Sequence, residues 1–259
     1  MAVQDGRARA AEDLKSLFVE VRQHLMQSYE VPDLIGPKSR LIFLLESPHV
    51  QELKYRAPVA GASGATMSKH LFGEAYAKFP VGLLVKKNLL EQKNRPSLDC
   101  IGLMNVSNIP LQPAAYRDRS VHEQYGDWLS ALARIREDNQ RDDYRDPLLN
   151  AVQAAMVEYL RDKLLALAER PCVVVPCGRF AQKFFRLAGV MGPRWQVIHG
   201  VPHPSYNAWD RAQYQSVIAE VQRALEQLRA ATAGVAAAVN LRATASPDSQ
   251  SAPSPSPGS

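Results

Sequence analysis

Four short, mostly apolar runs limit what this chain can fold into. They are residues 40–45 (RLIFLL), 100–104 (CIGLM), 172–176 (CVVVP) and 194–198 (RWQVI). A run of five or six such residues reads as a strand covered on both faces. Between the runs, apolar residues recur at helical spacing: over 8–28 (Leu14, Phe18, Val21, Leu25, Met26), near 66–73, and over 123–137, 147–169, 179–188 and 209–232. Buried strands alternating with helices build a parallel sheet between two helical layers. The expected class is therefore α/β, a three-layer α/β/α arrangement around a four-stranded, mainly parallel central sheet.

A chain of 259 residues suits one domain of this kind better than two. The reading is a single domain over 1–232, beginning with the N-terminal helix, and a disordered tail over 233–259 rich in Ala, Ser and Pro. A net charge of +5 favours a polyanionic partner. Three cysteines with no Cys-x-x-Cys pair argue against a disulfide framework or a zinc ribbon; separately, no metal and no organic cofactor is expected. The N-terminus lacks the apolar core of a signal peptide, and no apolar stretch reaches the ~18 residues of a membrane span. The expectation is a cytoplasmic monomer with no membrane association.

In parallel sheets, functional groups gather beyond the carboxyl ends of the strands. Glu46, Ser47, Pro48 and His49 follow the first run, and Asn105 and Asn108 follow the second. Cys177 and Gly178 follow the third; His199, Pro202, His203, Pro204 and Ser205 follow the fourth. A carboxylate, an amide and a histidine on one edge suit a pocket that binds a base. Plainer readings exist for each: Glu46 as a cap or ion-pair partner, Asn105 as a partner for loop backbone, His203 as a packed loop histidine. Cys177, between a strand and a helix, is either a thiolate nucleophile paired with His199 or His203, or a small buried residue, and the second is preferred. Gly61-Ala62-Ser63-Gly64 has neither the Gly-x-Ser-x-Gly spacing of a nucleophile elbow nor the Gly-Lys-Ser/Thr ending of a phosphate loop. The segment 86–95, with Lys86, Lys87, Lys93 and Arg95 against Glu91, is a solvated loop or a DNA contact.

These motifs resemble those of the uracil-DNA glycosylase superfamily, in particular the branch whose first motif reads Gly-Glu-Ala-Pro-Gly. That motif stands here as Leu45-Glu46-Ser47-Pro48-His49. The Pro-Phe-Val-Gly-x-x-Gly element resembles Pro58-Val59-Ala60-Gly61-Ala62-Ser63-Gly64, and the strand ending in Asn resembles Gly102-Leu103-Met104-Asn105-Val106. Cys177-Gly178-Arg179-Phe180-Ala181 is similar to a Gly-Lys-x-Ala element, and the final His-Pro-Ser motif is His203-Pro204-Ser205. The resemblance covers roughly residues 40–215.

It implies an enzyme that flips a base out of DNA and hydrolyses its glycosidic bond. Asn105 would read the edge of the flipped base, with Ser47, His49 and Val59 also in the pocket. His203 would donate to the base oxygen as charge develops, and Glu46 would position or activate water. Ser205, Tyr206, Asn207 and Trp209 would enter the minor groove and fill the vacated stack; simple packing under the last helix is the plainer reading of Tyr206 and Trp209. Apart from the resemblance, the charge of segment 86–95 makes Lys86 and Lys87 candidates to meet phosphates. Two departures bear on substrate. Val59 stands where the branch has a stacking aromatic residue, and His49 replaces the small last residue of the first motif, where uracil-specific relatives carry a tyrosine. Relatives in that branch also hold an iron–sulfur cluster on four cysteines, which three widely spaced cysteines do not supply. The expected function is therefore a monofunctional DNA glycosylase acting on a modified or damaged pyrimidine, with a role against phage carrying modified cytosines. The alternatives are an ordinary uracil-DNA glycosylase of base excision repair with Phe72 as its aromatic floor, a non-catalytic base-sensing protein of the same fold, and a hydrolase centred on Cys177.

Overall fold

A computed structural model describes the backbone over residues 2–244 and side chains over residues 9–231. The chain opens with helix α1 (Ala2–Tyr29) and then enters strand β1 (Leu41–Leu45). Helices α2 (Val50–Tyr55), α3 (Ala62–Phe72), α4 (Val81–Leu90) and α5 (Pro96–Asp99) lead to β2 (Ile101–Asn105). Helices α6 (Arg119–Glu137) and α7 (Pro147–Leu165) precede β3 (Val173–Pro176), and α8 (Gly178–Ala188) precedes the short β4 (Gln196–Val197). After a 3-10 segment at Ser205–Asp210, α9 (Gln215–Thr244) closes the described chain.

The four strands are parallel, in the order β2-β1-β3-β4. β1 is one of the two inner strands, between β2 and β3, and all five of its residues are buried. Its side chains alternate between faces, as the pleat requires. Ile42 and Leu44 join a core with Phe18 and Leu25 of α1, Leu132 of α6, Val152 of α7 and Phe184 of α8. Leu41, Phe43 and Leu45 join a second core with Met67 of α3, Val85 of α4, Leu98 of α5 and Val221 of α9. Two cores on opposite faces of one sheet are what makes the fold three-layered.

Asp118 and Asp146 start α6 and α7 by accepting from the backbone N–H of Ser120 and Leu148, the expected use of a short acidic side chain at a helix start. Three connecting helices, α2, α4 and α5, were not anticipated from the sequence. Each is short, four to ten residues, and is held by tertiary contact instead of by its own periodicity. The domain boundary expected at 232 does not coincide with a helix end, since α9 continues to Thr244. The segment is rich in alanine, the strongest helix former, and meets no proline before Pro247. The rest of the expected disordered tail, 245–259, lies outside the described residues.

Candidate active site

Leu45 pairs with Asn105 and Leu44 with Pro176, so β1, β2 and β3 end side by side. The residues after them open on one cleft of about 830 Å³, lined among others by Glu46, Asn105, Cys177 and His203. Four segments of the chain, one from the end of each strand, thus meet at the carboxyl edge of the sheet, as the strand pattern predicts.

The Asn105 peptide is gripped from both sides. Its N–H donates to Asp33 Oδ1 at 3.0 Å, and its carbonyl accepts from Lys163 Nζ at 2.5 Å. Lys163 also pairs with Asp33 Oδ2 at 2.9 Å and donates to Asn108 Oδ1 at 2.7 Å, while Asn108 Nδ2 donates to Asp33 Oδ1 at 3.0 Å. Asn108 is therefore part of the support beneath the site. The Asn105 side chain has the opposite status. Both its Oδ1 and its Nδ2 are buried, and neither has a hydrogen-bond partner among the described residues. A buried amide left unpaired costs about 1–3 kcal/mol, which a ligand offering one donor and one acceptor recovers.

Glu46 is partly buried, and its Oε1 accepts from Arg136 Nε at 2.5 Å. Arg136 comes from the last turn of α6 and lines the same cleft. No motif points to it, because the sequence separation is 90 residues. The Ser205 N–H donates to His203 Nδ1 at 3.2 Å, and the Ser205 hydroxyl lies 2.8 Å from the same nitrogen. A backbone donor on Nδ1 assigns the proton of the neutral ring to Nε2. Burial holds the His203 pKa below the usual 6.5; Glu46 pulls it up and Arg136 pushes it down. The ring is thus a neutral hydrogen-bond donor at physiological pH. Gly178 makes room for it, since a Cβ there would stand 2.8 Å from His203 Cβ.

Val59 lines the cleft in the left-handed region, at φ +46°, an uncommon conformation for a β-branched residue. The Pro58–Val59 segment is cradled by two glycines. A Cβ on Gly64 would fall 1.7 Å from the Val59 carbonyl oxygen, and one on Gly82 would fall 1.8 Å from that of Pro58. Ser47 and His49 also line the cleft, with His49 exposed at the start of α2. Phe72 does not: it borders a separate cavity with Tyr76 and Leu84. The aromatic residues on the cleft are Phe180, Tyr206 and Tyr214, and Phe180 was missed because its motif was matched only for its glycine and alanine.

The segment expected to enter DNA divides in two. Tyr206 is 90% exposed at the cleft edge, and it and the exposed Asn207 adopt left-handed backbone conformations at φ +53° and +50°. Ser205 turns back onto His203. Trp209 is a correction. It is fully buried, packs near Phe43 and His70, and donates its indole N–H to the Pro202 carbonyl at 2.9 Å. It anchors the loop and does not project from it. Lys86 and Lys87 sit on α4, away from the cleft lining; Lys86 donates to the Tyr55 carbonyl at 2.6 Å and Lys87 lies 3.8 Å from Glu91. His199 is exposed and is not among the residues lining the cleft. The Cys177 thiol is buried, donates to the Val175 carbonyl at 3.4 Å and is pushed by burial to a pKa far above the thiolate range, so it is a packing residue.

A search of the chain against family models matches the uracil DNA glycosylase superfamily over residues 32–229. The chain belongs to that superfamily. No curated protein matches it. Members of the family are DNA glycosylases, hydrolases that act on DNA. The matched span holds all four strands and every cleft residue named above. An iron–sulfur cluster does not fit this chain. Cys100 and Cys172 precede β2 and β3, whereas Cys177 follows β3 at the opposite end of the sheet, and three thiols cannot supply four ligands. Among the described residues, no helix is long and apolar enough to cross a membrane.

Proposed function

We propose that the protein is a monofunctional DNA glycosylase that extrudes a modified pyrimidine and hydrolyses its bond to the sugar. The observation that carries this reading is the unpaired, buried amide of Asn105, fixed at the base of a cleft that also holds Glu46 and His203. An amide supplies a donor and an acceptor to the pairing edge of a flipped base, and the loss of stacking and pairing is offset by such contacts. Cleavage passes through an oxocarbenium-like state with negative charge on the leaving base. His203, neutral with Nε2–H free, donates to the base oxygen where that charge appears. Glu46 holds water against the sugar carbon and stabilises the positive charge there.

No lysine lines the cleft among the described residues, which favours hydrolysis by water over a Schiff-base lyase. The substrate class follows from the floor and the mouth. Val59 offers little stacking surface, His49 is an exposed donor and acceptor at the mouth, and Gln51, Gln112 and Asn139 add polar groups to the lining. A volume of about 830 Å³ lies in the range of clefts that hold drug-sized ligands, ~300–1,000 Å³, and exceeds what a bare pyrimidine fills. We assign the enzyme to pyrimidines with a polar 5-substituent, such as hydroxymethylated or glycosylated cytosine, and to defence against phage whose DNA carries them. Uracil-containing DNA and phage DNA with modified cytosines, incubated in parallel, test it. Released base by mass spectrometry and alkali-labile sites from the second substrate are expected. Efficient release of uracil with none from the modified DNA overturns the substrate class, and release from neither overturns the activity.

A further inference from the structure

Glu52 is a buried carboxylate that none of the roles above uses, although it lines the cleft. It sits at the third position of α2, 8% exposed. Its two oxygens are committed to backbone donors from two different loops. Oε2 accepts from the His49 N–H at 2.6 Å, and Oε1 accepts from the Val59 N–H. His49 and Val59 are the mouth and the floor of the cleft, and among the described residues no other side chain is seen to hydrogen-bond to both. Val59 is the residue held in the left-handed conformation, so its peptide needs an external partner to stay there.

We infer that Glu52 is a positioning residue for base excision: its carboxylate ties the first-motif loop to the Val59 loop and so fixes the spacing of floor and mouth around the flipped base. The inference rests on the glycosylase reading and deepens it. A carboxylate presents two full acceptors to two N–H groups, whereas a protonated carboxyl carries a hydrogen on one of them and weakens that bond. Burial, with a smaller push from the charge of Glu46, raises the Glu52 carboxyl to about 7 against the downward pull of the two backbone N–H groups. Of the charged groups on the elements packed here, Lys54 of α2 lies over the Tyr55 ring, Lys86 of α4 bonds to the Tyr55 carbonyl, Lys87 of α4 lies 3.8 Å from Glu91, Lys69 and His70 of α3 bond to Asp210, and Arg136 bonds to Glu46. The tie therefore forms as pH rises through about 7 and slackens below it. Burial holds His203 below its usual value, so its ring loses its extra proton at lower pH than Glu52 loses its own.

The test compares the parent protein with Glu52→Gln, which keeps the size but sets an amide N–H₂ against one of the backbone donors. Single-turnover base release is followed from pH 5.5 to 8.5. In the parent the rate climbs through about pH 7; in the variant that step is absent and the rate at high pH falls by on the order of 10²-fold, the cost of a displacement of about 1 Å at a reacting centre. DNA affinity, which rests on phosphate contacts, stays at the parent value. A second measurement needs no variant: with ¹³C-labelled glutamate and ¹⁵N-labelled backbone, the amide signals of His49 and Val59 shift with the Glu52 carboxyl as it titrates. Equal rates and pH profiles in parent and variant overturn the inference, as do His49 and Val59 amides that ignore the Glu52 titration. If the parent releases no base from any DNA, the glycosylase reading falls, and the amide titration still decides whether Glu52 ties the two loops.

Discussion

Asn105 and His203 carry opposite kinds of information. Asn105 is fixed by its backbone and unsatisfied at its side chain, so Asn105→Ala removes a recognition group and a buried unpaired amide together. We expect excision to fall by about 10²–10³-fold, the usual effect of losing one preorganised donor, while the melting temperature holds or rises. His203→Ala should lose activity on a similar scale, and both variants should bind DNA as the parent does; rates near the parent's with unchanged circular dichroism would remove these residues from the site. Glu52 adds a pH signature. Its folded pKa of about 7 lies above the ordinary 4.5, so it favours the folded state below 4.5, and that contribution, roughly 3 kcal/mol, is lost as pH rises through 7. The melting temperature of the parent relative to Glu52→Gln should therefore drop between pH 5 and pH 8, and a constant difference argues against it. The convergence of Glu46, Asn105 and His203 on one cleft was legible in the sequence because each ends or follows a strand. Glu52, Arg136 and Lys163 were not, since their roles arise from pairing across the fold. Glu52 even stands three residues past His49, yet reads in isolation as an ordinary helix-start carboxylate.

The strands and long helices could be read because burial leaves a period in the sequence. The short helices α2, α4 and α5 leave none, and the 3-10 segment at Ser205–Asp210 misled the reading. Tyr206 and Trp209 look alike in a sequence as large aromatic residues beside a His-Pro-Ser motif, but one is 90% exposed and the other fully buried. The segment switches direction at the left-handed pair Tyr206 and Asn207; asparagine favours that conformation, but nothing in the sequence extends it to Tyr206. The two aromatics should separate in experiment. Trp209→Ala should cost about 3–5 kcal/mol of stability, as expected for a buried tryptophan, and read out as a lower melting temperature. Tyr206→Ala should leave melting unchanged and weaken excision from duplex more than from single-stranded DNA, because only the duplex needs its gap filled. Equal loss on both substrates would argue that Tyr206 does not enter the stack.

At the scale of the whole molecule, the net charge of +5 matters only where it faces DNA. Arg179 and Arg211 are exposed on the cleft lining, Arg211 3.4 Å from the Tyr206 carbonyl, whereas Lys86 and Lys87 are on α4, the first bonded to the Tyr55 carbonyl and the second paired with Glu91. Reversing Arg179 or Arg211 should weaken binding to all sequences and lower the salt slope by about one each. Reversing Lys86 and Lys87 should leave the slope unchanged; a reduced slope would return α4 to the DNA face. The order β2-β1-β3-β4 has a consequence for synthesis. The inner strand β1 is made first, but its neighbours and the histidine loop follow over the next ~160 residues, at roughly 5–20 residues per second. A ribosome that has released β1 and β2 holds a chain with a carboxylate and an amide but no opposing ring, and with one edge of β1 still unpaired. A growing chain therefore has no complete cleft until the segment that carries His203 has left the tunnel.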